Sequence, residues 1–257
     1  MKKIAYGPQK NFSIFEDTMV EMTWQEVQAA ADRKSVVLLP IGMVEAHGPH
    51  MDLSPDFYIS GLYCRFLKQE LEELGIESII APNVYWGISD NVARYAGTFS
   101  LSQDTFRGLL SDIMKSLQSW GFEKVFIFNA HGAPTHVNTI REAAKAQSNG
   151  DFRVYCLWEL DFEVDCDLEY PSMREDGFQP DIHAGAVETS QMYAFFPEKV
   201  RREAAITLPP NNGFHPLAYW GDPASFEQEI NVAEICAVDV KVDVLRIREI
   251  VCGNFSN

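Results

Sequence analysis

Val36-Val37-Leu38-Leu39-Pro40-Ile41-Gly42-Met43-Val44-Glu45-Ala46-His47-Gly48-Pro49-His50 is the stretch whose reading decides the fold. Its first six residues are all apolar and include β-branched side chains, the pattern of a strand buried on both faces. Gly42 ends the run. A polar cluster follows at once: Glu45, His47 and His50, with Asp52 and Asp56 just beyond. Ligands of open α/β sheets bind past the C-terminal ends of the strands, so position alone marks this cluster as a candidate site.

Working outward, Thr23 with Glu26 forms a capping-box pattern that predicts a short helix to about Ala31. From Phe57 to Leu74, residues Ile59, Leu62, Tyr63, Phe66, Leu67, Leu71 and Leu74 share one broad helical face, and Gly75 is a plausible stop. Residues 76–84 read as a second strand. Ser100 or Ser102 caps a helix running to about Trp120, and Lys124 to Phe128 is a third strand, ending at Asn129-Ala130-His131-Gly132. A helix from about His136 to Gln147, a strand from Phe152 to Trp158 and a helix from Ala184 to Phe196 complete the alternation. It predicts an α/β fold, one domain over residues 1–257, with a mostly parallel sheet and right-handed crossovers. Between them, residues 161–180 are acidic and irregular. Near the C-terminus, Val238, Val240, Val242 and Val244 alternate like a strand, while Ile230, Ala233, Ala237, Val240, Val244, Ile247 and Val251 keep helical spacing. The length of the segment decides for a helix.

The chain has 257 residues, 46% of them hydrophobic, enough for a substantial core. With 21 basic and 37 acidic residues the formal charge is −16, which argues against a nucleic-acid or anionic-membrane partner. No apolar run reaches membrane-spanning length and no signal segment follows the basic start, so a cytoplasmic location is expected. The five cysteines are scattered without CxxC spacing. Cys64 and Cys156, in apolar surroundings, read as core residues.

The chemistry lies in Glu45, His47, Asp56 and His131. If residues 45–47 stay extended, Glu45 and His47 point to the same side. Carboxylate oxygen and imidazole nitrogen form a mixed donor set suited to zinc, manganese or iron, and Asp56 either bridges two cations or caps its helix. His131 supplies a third segment, where Gly132 allows close backbone approach. His183 sits in a loop and Glu188 in the first turns of the helix after it. A cation in such a site lowers the pKa of water and orients it toward a carbonyl carbon, and His183 can carry a proton to a departing nitrogen. There is no GxSxG elbow, P-loop or Rossmann fingerprint. His50 and His136 read as groups that orient a ligand or bond the backbone. Tyr85, Trp86, Trp158, Phe178, Phe214 and Trp220 are candidate pocket aromatics, and Arg94 and His215 candidate substrate contacts.

Four islands in order, Leu39 to His50 with Asp56, Gly97-Thr98-Phe99-Ser100-Leu101, Asn129-Ala130-His131-Gly132, and His183-Ala184-Gly185-Ala186-Val187-Glu188-Thr189-Ser190, make the sequence resemble the creatininase family over residues 35–200. The resemblance implies a three-layer αβα sandwich and an amidohydrolase-like site, with two divalent metals per chain. It also implies a homo-oligomer, commonly a hexamer. Glu45, His47, Asp56 and His131 match the family's metal ligands, with Asp56 as the bridge. Glu188 matches a glutamate that completes the site and serves catalysis, and His183 matches the histidine that moves protons. One departure is notable. Creatininase has a glutamate two positions after the histidine matched by His131, where this chain has Ala133. The expected activity is hydrolysis of a small cyclic amide or related C–N bond. The alternatives are ring-opening hydrolysis of an oxidised cyclic polyol or sugar derivative, and non-catalytic small-molecule binding.

Overall fold

The structure, a computed structural model, describes residues 4–159, 181–228 and 231–253. The strands are β1 (Val36–Ile41), β2 (Ser78–Ile80), β3 (Lys124–Asn129) and β4 (Arg153–Cys156), and the helices α1 (Trp24–Asp32), α2 (Pro55–Glu73), α3 (Gln103–Ser119), α4 (Pro134–Gln147), α5 (Ala186–Phe195), α6 (Arg202–Ala205) and α7 (Val232–Val251). The strands form one sheet in the order β2-β1-β3-β4, and every pairing is parallel, with Leu38 opposite both Ile80 and Phe126.

Alternation along β1 builds the two outer layers. Val36 and Leu38 pack with Leu62, Phe66 and Leu67 of α2, Met192 and Phe195 of α5, and Val240, Val244 and Ile247 of α7. Val37, Leu39 and Ile41 face the other way, onto Ala30 and Ala31 of α1, Phe106, Leu110 and Met114 of α3, and Ile140 and Ala143 of α4. Successive side chains of a strand point to opposite faces, so a strand apolar at every position needs helices on both sides. The result is the expected αβα sandwich.

Local signals set the helix starts. Thr23 and Glu26 form the capping box of α1, and Ser102 caps α3 by accepting a hydrogen bond from the Thr105 N–H. Proline stands at the start of α2 and α4, where its missing N–H costs nothing and its fixed φ suits the helix. Both helices therefore begin two residues before the expected Phe57 and His136, and Asp56 lies inside the first turn of α2. The expected strand over 76–84 shrinks to β2. Pro82 cannot donate to a ladder, and only an isolated bridge joins Val84 to Ile41 beyond it. Pro40 is tolerated in β1 because its carbonyl, and hence its missing N–H, faces Val84 past the end of β2. β4 stops at Cys156, and Trp158 falls in a 3-10 turn, Leu157–Glu159. α5 starts at Ala186, because Ala184 is left-handed with φ 51°. The C-terminal segment is helical as expected. Val240, Val244 and Ile247 are buried while Val238 and Val242 are exposed, so the helical period overrides the valine alternation. The acidic segment, Cys166 and Phe178 lie outside the described residues.

The chain leaves β1 for β2 on one side of the sheet and β3 for β4 on the other. The C-terminal ends of β1 and β3 thus flank a topological switch point, where such sheets form a crevice.

Candidate active site

Three of the four islands meet in that crevice, and the Gly97–Leu101 island braces it. After β1, the segment through His47 is held open by loop contacts. Ala46 donates its N–H to the Thr98 hydroxyl at 3.0 Å and Phe99 donates to the Val44 carbonyl at 3.2 Å. The Gly97-Thr98 island therefore secures the loop that carries Glu45 and His47. Gly97 itself has φ 94° and lies against Leu53, so a side chain would be strained there twice over.

Five side chains converge. His131 Nδ1 lies 3.0 Å from Glu45 Oε2 and 3.0 Å from Asp56 Oδ2. His47 Nε2 lies 3.1 Å from Asp56 Oδ1 and 3.8 Å from Glu188 Oε2. Asp56 thus turns one oxygen to each histidine. Glu45, His47, Asp56 and His131 are 5% exposed or less, whereas the Glu188 side chain is 29% exposed and opens the cluster to a narrow cleft. That cleft is lined by Ser89, Asp90, Asn91, His183, Glu188 and Phe214, among others.

Each donor is aimed by a partner behind it. The second ring nitrogen of His131, Nε2, donates to the Ile88 carbonyl at 2.9 Å, and His47 Nδ1 donates to the Glu45 carbonyl at 3.0 Å. These bonds leave the opposite nitrogens facing the cluster, as metal-binding histidines require. Ser89 donates its hydroxyl to Glu45 Oε1 at 2.6 Å, so Oε2 turns inward. Glu188 accepts a short hydrogen bond from the N–H of left-handed Ala184.

Electrostatics follow from the packing. Burial pushes His47 down, but Asp56 and then Glu188 and Glu45 outweigh it and hold its pKa at about 10. His131 is likewise raised well above its ordinary value, burial being outweighed by Glu45 and Asp56. Burial raises both carboxylates, yet His131 brings Glu45 below its usual range, and His47 with His131 brings Asp56 far below it. Burial takes His50 down to about 4, so it is neutral at pH 7.

A divalent cation fits these residues. Glu45 Oε2, His47 Nε2 and Asp56 Oδ2 are buried and make no hydrogen bond of good geometry among the described residues. Glu45, Asp56 and His131 offer ligand atoms within 4.8 Å of one another, as do His47, Asp56 and Glu188, and Glu45, His47 and His183. Converging donor atoms on a shared space, with the partner hydrogen bonds directed outward, suit a ligand cage that a cation would occupy in place of the imidazole protons.

His183 Nε2 donates to the Ala46 carbonyl at 2.8 Å, and Nδ1 stands 3.9 Å from Glu45 Oε2. Its backbone pairs with Trp220, whose ring packs on Phe214, and Phe214 lies 5.9 Å from the His183 ring. His50 does not join the cluster; its Nε2 bonds the Thr189 hydroxyl at 2.9 Å, tying the loop to α5. Arg94 is exposed and lies over the Tyr95 ring, and His215 stacks on Tyr219; neither lines the cleft. Of the candidate pocket aromatics among the described residues, only Phe214 does. Trp158 lines a separate cavity beneath α7.

Sequence reasoning passed over three groups. Ser89 aims Glu45. The Ile88 carbonyl aims His131. Asp181 accepts from Ala186 N at 2.9 Å and Val187 N at 2.5 Å, fixing the start of α5 and hence Glu188. Its carboxylate fills the space where Gly185 and Gly221 lack a side chain. The only local signal is an Asp shortly before a Gly at a helix start.

A family model described as creatininase, creatinine amidohydrolase, matches residues 20–231. The chain is 29% identical over 206 residues to creatinine amidohydrolase of Pseudomonas putida, covering 74% of this chain and 76% of that protein. It is 30% identical over 172 residues to mycofactocin precursor peptide peptidase of Mycobacterium tuberculosis and 26% identical over 199 residues to 3-dehydro-scyllo-inosose hydrolase of Thermotoga maritima. These matches cover 65% and 76% of this chain, and 61% of each relative. Among solved structures, a manganese creatininase superposes with a TM-score of 0.70 at 22% identity, covering 91% of this chain and 98% of that one. A mutant creatininase complexed with creatine gives 0.68 at 24%, covering 89% and 96%. With its αβα fold and a Glu/His/Asp cluster fit for divalent cations, the chain belongs to the creatininase family of metal-dependent hydrolases.

Proposed function

We propose that this enzyme hydrolyses a small cyclic amide or related C–N bond, with Glu45, Asp56 and His131 holding one divalent cation and His47, Asp56 and Glu188 a second. The observation that carries this reading is the orientation of Asp56, one oxygen toward each histidine. These two groupings use five residues and share one. The grouping of Glu45, His47 and His183 would draw Glu45 from His131, to which it is closer, and leave Glu188 idle.

Zinc, manganese or iron in these positions would lower the pKa of a water and polarise the scissile carbonyl. The protein does the rest. Asp56 and Glu45 supply fixed negative charge that needs no reorganisation. His183, anchored through Nε2 on Ala46, keeps Nδ1 toward the cleft, where it takes a proton from the attacking water and returns it to the departing nitrogen. Glu188, at the exposed rim, is a second proton acceptor. Phe214 and Ile182 give the cleft an apolar wall that limits competing water.

Ala133 favours a second reading on the same machinery. It lines the cleft where a glutamate is expected, leaving room for a different ring. The match to a 3-dehydro-scyllo-inosose hydrolase supports ring opening of an oxidised cyclic polyol. We further propose a cytoplasmic homo-oligomer.

Elemental analysis of protein purified without added metal tests the core of this reading. About two equivalents per chain are expected. Near-zero content that careful reconstitution does not restore would sink it. A turnover screen of cyclic amides against cyclic ketones and lactones then separates the two substrate classes.

A further inference from the structure

His136, on the first turns of α4, is fully buried and belongs to neither cation grouping. Its contacts are nevertheless those of the His131 loop. The Ile88 N–H donates to His136 Nδ1 at 3.2 Å, and a backbone N–H can only donate, so Nδ1 accepts. Nε2 therefore carries the proton and donates to Asn129 Oδ1 at 3.1 Å. Both partners are also partners of His131. The Ile88 carbonyl accepts from His131 Nε2 at 2.9 Å, Asn129 Nδ2 donates to the His131 carbonyl at 2.6 Å, and Asn129 Oδ1 accepts the His131 N–H at 3.3 Å. The two rings meet edge to face with centroids 4.7 Å apart. Behind them, Phe106 stacks on His136 at 4.6 Å. In front, Gly87 leaves the ring its space: a Cβ there would lie 2.5 Å from His136 Cε1.

Filling this space with an apolar ring would satisfy packing alone. The imidazole does more, because it joins one backbone donor and one amide oxygen that both belong to the frame around His131. We propose that His136 is a positioning residue for the Glu45–Asp56–His131 cation site, acting through Ile88 and Asn129 to keep His131 Nδ1 on the ligand cage. This rests on the proposed role of that cage. It also predicts that the influence is one-sided, since His47 and Glu188 are held by other segments: the Glu45 carbonyl and the Ala184 N–H.

The test compares wild type with His136→Phe, which keeps the stacking and removes both hydrogen bonds, and His136→Gln, whose amide can accept at one atom and donate at the other. Each protein is stripped of metal and titrated with Co²⁺ under optical detection. In wild type two binding steps are expected. In His136→Phe one step weakens by roughly 10- to 100-fold while the other holds, and His136→Gln restores most of the loss. Equal weakening of both steps, or no change, overturns the inference. A readout without metal separates it from the cation reading. In the stripped protein the His131 Nε2 proton, held on Ile88, exchanges slowly in wild type and His136→Gln, and at least about tenfold faster in His136→Phe. Failure of wild type to take up Co²⁺ would overturn the cation cage and this inference with it. Two normal Co²⁺ steps in wild type with unchanged exchange in His136→Phe would overturn the inference alone. Gly87→Ala, which crowds the same ring with His136 still present, should reproduce the phenylalanine result.

Discussion

Glu188 brings its carboxylate to 3.8 Å from His47 Nε2, from a helix far along the chain from the His131 loop. Glu188 and Ala133 both line the cleft beside the cluster. On the proposed reading, Glu188 supplies from α5 the carboxylate that residue 133 lacks. Glu188→Gln should therefore lower bound metal from about two equivalents toward one, with the fold intact by circular dichroism. Adding Ala133→Glu to that variant should recover part of the metal. Full metal content in Glu188→Gln would remove Glu188 from the site.

Asp56 is the one carboxylate common to both groupings, and it is 2% exposed. Asp56→Asn should abolish binding of both cations and lower activity more than any other single ligand change. It also removes the carboxylate that lies 3.0–3.1 Å from two buried imidazoles, so a loss of about 3–5 kcal/mol in the metal-free protein is expected from denaturant titration. Retention of one tightly bound equivalent would contradict a bridging role.

On the proposed mechanism His183 serves the chemistry and not cation binding. His183→Asn should leave metal content unchanged and reduce kcat by about 10²- to 10⁴-fold, with a smaller effect on KM. Loss of metal in this variant would instead assign His183 to the ligand set.

The metal-free protein should respond to pH in a defined direction. The folded pKa of His47 is raised from 6.5 to about 10. A histidine with a raised folded pKa contributes stability that is complete below the unfolded value and lost as pH climbs through the folded one. Metal-free protein should therefore lose melting temperature between about pH 6.5 and 10. Cation loading at pH 8 should release protons, because it displaces them from His47 and His131. A pH-stat titration showing no proton release, or a melting temperature flat over that window, would show that the imidazoles are already neutral.

Much of this arrangement is legible in the chain. The apolar runs Val36–Ile41 in β1 and 125–128 in β3 foretell a sheet covered on both faces, and the histidines just past their ends foretell the crevice. Helix over strand for α7 follows from segment length, since a valine every second residue fits both periods until burial separates Val240 and Val244 from Val238 and Val242. What stays hidden is what depends on atoms distant in sequence. Nothing near Ser89 announces a bond to Glu45, and nothing near Asp181 announces two glycines that yield it their space. Helix starts at Pro55 and Pro134 run ahead of the amphipathic pattern because proline, not the apolar stripe, sets the first turn. Arg94 and His215 look functional as isolated residues and turn out to lie on Tyr95 and Tyr219.

The single carboxylate of Asp56 links parts of the chain that translation delivers at very different times. Glu45, His47 and Asp56 emerge early, His131 midway and Glu188 only with α5. A cation held between Asp56 and Glu188 closes a long loop, and loop closure of that kind removes conformational freedom from the unfolded chain rather than adding contacts to the folded one. On the proposed cation reading, a chain finished in metal-poor conditions would lack its last cross-link and spend more time open to proteolysis, so metal availability during synthesis would set how much protein survives.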